Sequence, residues 1–463
     1  MKTLRRSLSL HPLAASLALV LGAPNVHAAP LAAPAVVNCL DHGAGSLRQA
    51  IIDNTSSAPI DLTQLACSRI TLTSGAINVQ RAQLIQGPGA GLLEIDGAHL
   101  DRVFSQTSTQ PLALYGLTIQ NGYANSFGGG CVYTAGALQL KGTVVRNCQV
   151  SDTAGSGTIE GGGVDVHGAL VAINSSIVDN EAYTALGNAF GGGASVEGVA
   201  VLDHSTISGN LVSIGGTSIA AVGGIDVAGQ LTMTYSTVAN NRASGPASST
   251  AAIGGLRAFG GATITQSTIS GNSASGGTGG LRLYAIGAPN SITDSTISGN
   301  SAPALGGLYA SGVTSIKNST IAFNVETVSQ SGGGARFVST SANLQSTIIA
   351  ANVSGGGVAQ NIALGVSGSV SGANNLIGPS PSVTLPAGTI GGDPKLFPLH
   401  DNGGPTLTHA LRAGSPAIDK GNLDSGFNTD QRGTGFPRVV GARADIGAFE
   451  GVDTDSIFFN AFD

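Results

Sequence analysis

The phrase S-T-I-S-G-N occurs at 205–210, 267–272 and 295–300. Variants are S-S-I-V-D-N (175–180), S-T-V-A-N-N (236–241) and S-T-I-A-F-N (319–324), with looser copies G-L-T-I-Q-N (116–121) and G-T-V-V-R-N (142–147). The closing residues Asn121, Asn147, Asn180, Asn210, Asn241, Asn272, Asn300, Asn324 and, one residue late, Asn352 recur every 24–33 residues. A second landmark is a Gly pair or triplet ending at Gly130, Gly163, Gly193, Gly224, Gly255, Gly280, Gly307 and Gly334. From that Gly to the next Asn is 17 residues in six of eight copies, whereas the stretch from Asn to the next Gly varies. A constant core with a variable insert is the signature of stacked repeats whose loops gather on one side.

The core reads as strand. One and three residues past the last Gly stand Val164 and Val166, Ala194 and Val196, Ile225 and Val227, Leu256 and Ala258, Leu281 and Leu283. The positions between are mostly polar or aromatic, the period-2 pattern of a half-buried strand. A second short apolar run precedes each Asn. Two or three short strands in about 29 residues, without a helical period, predict one turn of a parallel β-solenoid. The Leu framework of leucine-rich repeats and the aromatic signatures of propeller blades are missing. Gly and Asn, which tolerate left-handed backbone, are expected at the bends. Asn in register on successive turns can bond as a ladder, here Asn180, Asn210, Asn241, Asn272, Asn300 and Asn324, and the preceding Ser-Thr can stack likewise. Short apolar runs at 70–72, 77–79, 92–95, 103–104 and 112–114 extend the stack to roughly 11 turns, on the order of 50 Å at ~4.8 Å per strand.

Composition agrees. Gly accounts for 70 of 463 residues, about twice the ordinary ~7%. Charged residues are 10%, aromatics 4%, and Trp is absent. Low charge with positive mean hydropathy excludes disorder. There is no Gly-X-Y period, which excludes collagen. A formal charge of −6 argues against a nucleic-acid partner.

Residues 1–28 read as a secretory signal: Lys2, Arg5 and Arg6, an apolar stretch from Leu8 to Leu21, and Val26-His27-Ala28 before a cut. No later stretch is long and apolar enough to span a bilayer as a helix. Export implies an oxidising compartment, and the four cysteines are expected to pair as neighbours, Cys39–Cys67 and Cys131–Cys148. No C-x-x-C occurs, and no metal site is assigned.

A solenoid needs caps. G-S-L-R-Q-A-I-I-D (45–53) predicts a capping helix, with Ser46 as N-cap, Gln49 completing a capping box, and Leu47, Ala50 and Ile51 on one face. D-H-G-A-G-S-L-R-Q-A-I (41–51) resembles the CSLREA-type segment of exported bacterial β-helix proteins, with Gly45 for the Cys and Gln49 for the Glu. The repeats resemble those of polymorphic outer-membrane proteins. D-N-G-G-P-T-L-T-H-A-L (401–411), G-S-P-A-I-D-K-G (414–421), T-D-Q-R-G (429–433) and D-I-G-A-F-E (445–450) resemble the choice-of-anchor Q family. The resemblance implies a right-handed parallel β-helix at the cell surface or secreted, with no settled activity. The expected organisation is signal 1–28, N-terminal cap 29–68, β-helix 69–378, C-terminal cap 379–450 and tail 451–463, the tail including D-S-I-F-F-N-A-F-D (455–463).

Two positions past the last Gly, the stack reads Val132, Asp165, Ser195, Asp226, Arg257, Arg282, Tyr309 and Arg336. Four positions past, it reads Thr134, His167, Glu197, Ala228, Phe259, Tyr284, Ser311 and Val338. These predict one exposed strip beside the variable loops, running from acidic to basic. A glycan groove is the functional expectation, with His167, Ser195, Arg257, Arg282, Tyr284, Tyr309 and Arg336 as ligand-binding candidates and Arg257 or Arg282 suited to a uronate carboxylate. The enzymatic alternative, a polysaccharide lyase or glycoside hydrolase, would draw on Asp165, Glu197 and Asp226. Asp165 and Asp226 two turns apart would be roughly 9–10 Å from each other, near the ~6.5–9.5 Å of inverting glycosidases. A lyase would also need Ca²⁺ and a base. The Asp-Asp and Arg-x-Lys signatures of polygalacturonases are missing. A solvated strand face accounts for the same charges, and the expectation is therefore an adhesin-like binder, monomeric and without a cofactor. Asp393, Asp419, Asp430, Arg432 and Asp445 are read as holding turns and ion pairs, and His42 and His409 as structural.

Overall fold

The computed structural model describes residues 33–451, except 126, 154, 156, 217–219, 247–250, 329–331, 340 and 424. The stretch 1–28 read as a signal and the tail beyond 451 lie outside the described residues. Each mid-stack turn repeats one path. In the turn that starts at Val164 the strands are Val164–Val166, Leu170–Ile173, Ser176–Val178, Glu181–Thr184 and Ala189–Phe190. The first three belong to sheets of eleven, twelve and twelve strands among the described residues, the stack of about eleven turns of a parallel β-helix. Register is one-to-one: Val164 pairs Ala194, Leu170 pairs Ala200 and Ser176 pairs Thr206, all parallel. The alternating apolar positions point inward, and Val164, Val166, Ile225, Val227, Leu281 and Leu283 are all buried in one continuous core.

The variable segments are not irregular loops. They form two further sheets, of ten and four strands among the described residues, around a second small core of Ala124, Val150, Ile159, Ala182, Ala189 and Val212.

The bends differ in detail from the sequence reading. The left-handed residue is the one before each ladder Asn: Asp179, Gly209, Asn240, Gly271, Gly299, Phe323 and Ala351 all have φ between 55° and 67°. Asn121 and Asn147 occupy this left-handed position (φ 54° for both) and lie outside the ladder. Cys148 takes the ladder place in its turn, where its backbone N–H donates to Asn180 Oδ1 at 3.0 Å. Its disulfide partner Cys131 stands at the register position of Gly163, since both Cys131 N and Val132 N donate to Gly163 O. The cysteine replaces the third glycine of the block, so positions counted from Gly130 are one residue out of register. Tyr133, not Val132, pairs with Asp165 on the strip, and Val132 and Thr134 face inward, fully buried. The Gly pairs serve close approach more than bending: a Cβ on Gly224 would overlap Gly255 O and press on Asn241.

At the N-terminus the stack already begins at Ile60–Asp61, which pairs with the strand Gln83–Gln86. The helix Leu47–Asp53 buries Leu47, Ala50 and Ile51 over the end, and the Ser46 side chain accepts from Gln49 N. The capping box is half formed, because the Gln49 amide turns to Asp53 Oδ1 (2.8 Å) and Ser46 N donates to Gly43 O. The second disulfide, Cys39–Cys67, ties this cap to the first turn.

The C-terminal region does two jobs. Val383 and Leu385 pack on the last turn of the core. The described residues of 391–450 instead run back along the flank of the sheet that contains Thr268–Ser270, Thr296–Ser298, Thr320–Ala322 and Ile348–Ala350, and bury these four strands on both faces. Gln431 is the central peg: its Nε2 donates to Thr268 Oγ1 (2.8 Å) and Thr406 Oγ1 (3.0 Å), and its Oε1 accepts from Thr296 Oγ1 (2.6 Å). Arg432 pairs with Asp430 (2.7 Å) between the rings of Phe436 and Phe449. Asp393, Asp419 and Asp445 accept backbone N–H bonds within this region, and His409 bridges Ser298 and Phe397 O. Gln431→Ala is expected to cost about 1–3 kcal/mol by orphaning buried hydroxyls, and to speed limited proteolysis within 391–450 while the stack itself stays resistant.

Candidate functional site

The outward side chains of the eleven-stranded sheet form one row. In register order they are Asn78, Ser105, Tyr133, Asp165, Ser195, Asp226, Arg257, Arg282, Tyr309, Arg336 and Ala363. The row is less open than the sequence reading expects. Asp165, Ser195 and Asp226 are buried, at 3%, 5% and 9% exposure. The reason is the four-stranded sheet, whose outward residues Glu160 and Phe190 stand beside the row, and the 127–129 segment, where a Cβ on Gly128 would collide with the Asp165 carboxylate.

The acidic end is a cluster drawn from different sheets. His167 Nε2 lies 3.7 Å from Asp165 Oδ2, and Nδ1 lies 3.6 Å from Glu197 Oε1. Tyr133 meets the His167 ring edge-on at 5.3 Å. Glu160, His167 and Glu197 each bring a ligand atom within 4.8 Å of the others. Burial pushes the Asp165 carboxyl up to about 7, reinforced by the Glu160 and Glu197 charges and opposed by His167 and Arg102. Burial likewise raises Glu160, with Glu197 and Asp226 adding repulsion. Glu160 was not legible as a site residue, because it precedes the Gly block and belongs to a segment that reads as loop.

Asp226 and Arg257 form a bidentate pair, Nε–Oδ1 and Nη2–Oδ2 both 2.7 Å. Arg257 is held between Phe190 and Phe259, 4.5 and 4.7 Å from the ring centres. These two candidates therefore satisfy each other. The Asp226 carboxylate, expected to work with Asp165 two turns away, is thus engaged by Arg257 instead.

The basic end differs. Phe259 stacks on Tyr284 (5.0 Å, 12°), and Tyr284 leans on Tyr309 (5.9 Å). Arg282 lies over Tyr309 at 4.4 Å. Arg282 and Arg336 form none of the ion pairs found among the described residues, and each has an Nε without a hydrogen-bond partner. The result is a half-buried shelf of ring faces with two guanidinium groups that lack a carboxylate. No helix among the described residues is long and apolar enough to cross a membrane. No family model matches the chain, and a search of curated proteins likewise returns no match.

Proposed function

We propose that the chain is an exported, adhesin-like binding module that holds an acidic glycan on the shelf of Tyr284, Tyr309, Arg282 and Arg336. The carrying observation is the pair of guanidinium groups without carboxylate partners beside stacked aromatic rings. Arg recognises planar carboxylates bidentately, and ring faces offer apolar area to sugar rings. The two disulfides suit an oxidising compartment, and the segment at 1–28 supplies the export signal. A monomer at or beyond the cell surface, with no nucleic-acid partner, completes the reading, and the family resemblance to choice-of-anchor Q and CSLREA proteins belongs with it.

Binding is favoured over the lyase or hydrolase because Asp165 is buried and Asp226 is neutralised by Arg257. The 127–129 segment closes the Asp165 carboxylate off from a polymer substrate, and both oxygens of Asp226 are taken by one guanidinium. Glycan-array screening followed by calorimetry on the acidic hits tests the reading. Tyr309→Ala and Arg282→Ala are each expected to weaken binding about tenfold, with Ser195→Ala unchanged. Equal binding by all three variants, or appearance of new reducing ends or unsaturated products, would overturn it.

A further inference from the structure

Glu160, His167 and Glu197 come from two sheets and three successive turns, yet converge at one point. Glu160 lies on the strand Ile159–Glu160 of the four-stranded sheet. His167 follows the strand Val164–Val166, and Glu197 stands one turn further on, after Ala194–Val196. Their donor atoms lie within 4.8 Å of one another. Donors bound to one ion at ~2.0–2.2 Å sit about 3–4 Å apart, a contraction that small side-chain rotations supply. His167 is partly exposed, with 35% of its side chain accessible, and Glu197 55%, so an ion has a way in from solvent.

The second observation lies behind the imidazole. Asp165 is 3% exposed, its Oδ1 has no hydrogen-bond partner, and its Oδ2 faces His167 Nε2 at 3.7 Å. A buried carboxylate without a cation of its own is costly. The nearest guanidinium on the row, Arg257, is committed to Asp226. Arg102 spends its Nε and Nη2 on the carbonyls of Gly128 and Phe127. The carboxylate therefore stands where metal-binding histidines find their orienting partner: one ring nitrogen on the ion, the other N–H on a carboxylate. Nδ1 faces Glu197 and the open side, and Nε2 faces Asp165.

From this geometry we propose that Glu160, His167 and Glu197 form a site for one divalent transition metal ion of the zinc type, with Asp165 as the positioning residue for His167. One imidazole and two carboxylates match borderline ions better than Ca²⁺, which prefers six to eight oxygens. Three protein donors leave a coordination position to solvent. The site is independent of the glycan shelf and shares none of its four residues.

The test is calorimetric titration of the full chain, untagged and stripped with chelator, using ZnCl₂ with CaCl₂ as comparator. One Zn²⁺ per chain is expected, without matching Ca²⁺ binding. His167→Ala and Glu160→Gln should weaken it by at least about 100-fold, and Asp165→Asn by about 10–100-fold with the stoichiometry kept. On unmodified protein, Zn²⁺ should protect His167 from acylation by diethyl pyrocarbonate, read by peptide mass spectrometry, a measurement that needs no variant to fold. Absence of Zn²⁺ binding, equal affinity for Ca²⁺, unchanged binding in folded His167→Ala, or acylation of His167 unaffected by Zn²⁺ would each overturn the proposal.

Discussion

Asn241→Ala is expected to destabilise the stack by about 3–5 kcal/mol, in line with the loss of several buried hydrogen bonds at once. Asn241 is fully buried and holds both neighbouring turns. Its Oδ1 accepts from Asn210 N and Asn210 Nδ2, at 3.1 and 2.9 Å. Its Nδ2 donates to Ile207 O and Asn272 Oδ1, both at 2.9 Å. Alanine removes all four bonds, orphans Asn210 N in a dry interior, takes the side-chain donor from Ile207 O, and leaves a small void. The row runs unbroken from Asn180 through Asn210, Asn241, Asn272, Asn300, Asn324 and Asn352 to Asn361, so the damage falls mid-ladder. Urea unfolding should show a lower midpoint, and hydrogen exchange should quicken on the turns flanking 241. Asn147→Gly is the matched control. Asn147 is exposed, with φ of 54°, and lies outside the row, so glycine there should change stability by no more than about 0.5 kcal/mol. A large loss at Asn147 with a small one at Asn241 would contradict the register described above.

Asp41→Asn is expected to loosen the N-terminal cap by about 3–5 kcal/mol at neutral pH, the range for removing one member of a buried pair. Asp41 Oδ1 accepts from Arg48 Nε and Nη2, at 3.1 and 2.7 Å. Its Oδ2 accepts from the backbone N–H groups of Thr73 and Ser74 and from both hydroxyls. Arg48 in turn donates to Gly75 O and Ala76 O, both 2.6 Å. The helix, the stretch just before it and the first turn thus meet at one carboxylate. Burial by itself would raise this carboxyl. The hydrogen bonds from Ser74, Arg48 and Thr73 and the Arg48 charge outweigh it and hold the group below the ordinary carboxylate range. A lowered folded-state value stabilises above the unfolded value of ~3.9 and loses that contribution as pH falls through the folded value. The gap between wild type and Asp41→Asn should therefore be full at pH 7 and shrink below about pH 4. Hydrogen exchange over residues 60–79 at pH 7 and acid-induced unfolding read the two ends. A gap that grows on acidification would show that the carboxylate charge is not what holds the cap.

Much of the architecture is legible because it is periodic. Recurrence of Asn and Gly at constant spacing specifies strands in register, and inward Val, Ile and Leu at alternate positions specify the core. The periodicity also placed Asp165, His167, Glu197, Asp226 and Arg257 on one face. It could not tell which of them reach solvent. That depends on the Asn-to-Gly segments, whose varied lengths carry no repeat signal, yet whose small Ala and Val side chains form a second core and bring Glu160 and Phe190 over the row. The one-residue shift at Cys131 was hidden for a similar reason. Only the pairing with Gly163 shows that the cysteine has taken a glycine's place and moved Tyr133 onto the strip.

The three copies of S-T-I-S-G-N mark the boundary between what each level decides. In all three the Ile is buried, the Gly is left-handed and the Asn joins the ladder, because these follow from contacts between equivalent positions on neighbouring turns. The outward Thr and Ser are another matter. Thr206 and Ser208 are half-exposed, whereas Thr268, Ser270, Thr296 and Ser298 are buried beneath the returning C-terminal region. Local repetition determines what a residue does toward its own stack. Which outer face is covered depends on a segment more than 130 residues away in the chain, where Gln431 meets Thr268 and Thr296, and only the tertiary structure settles it.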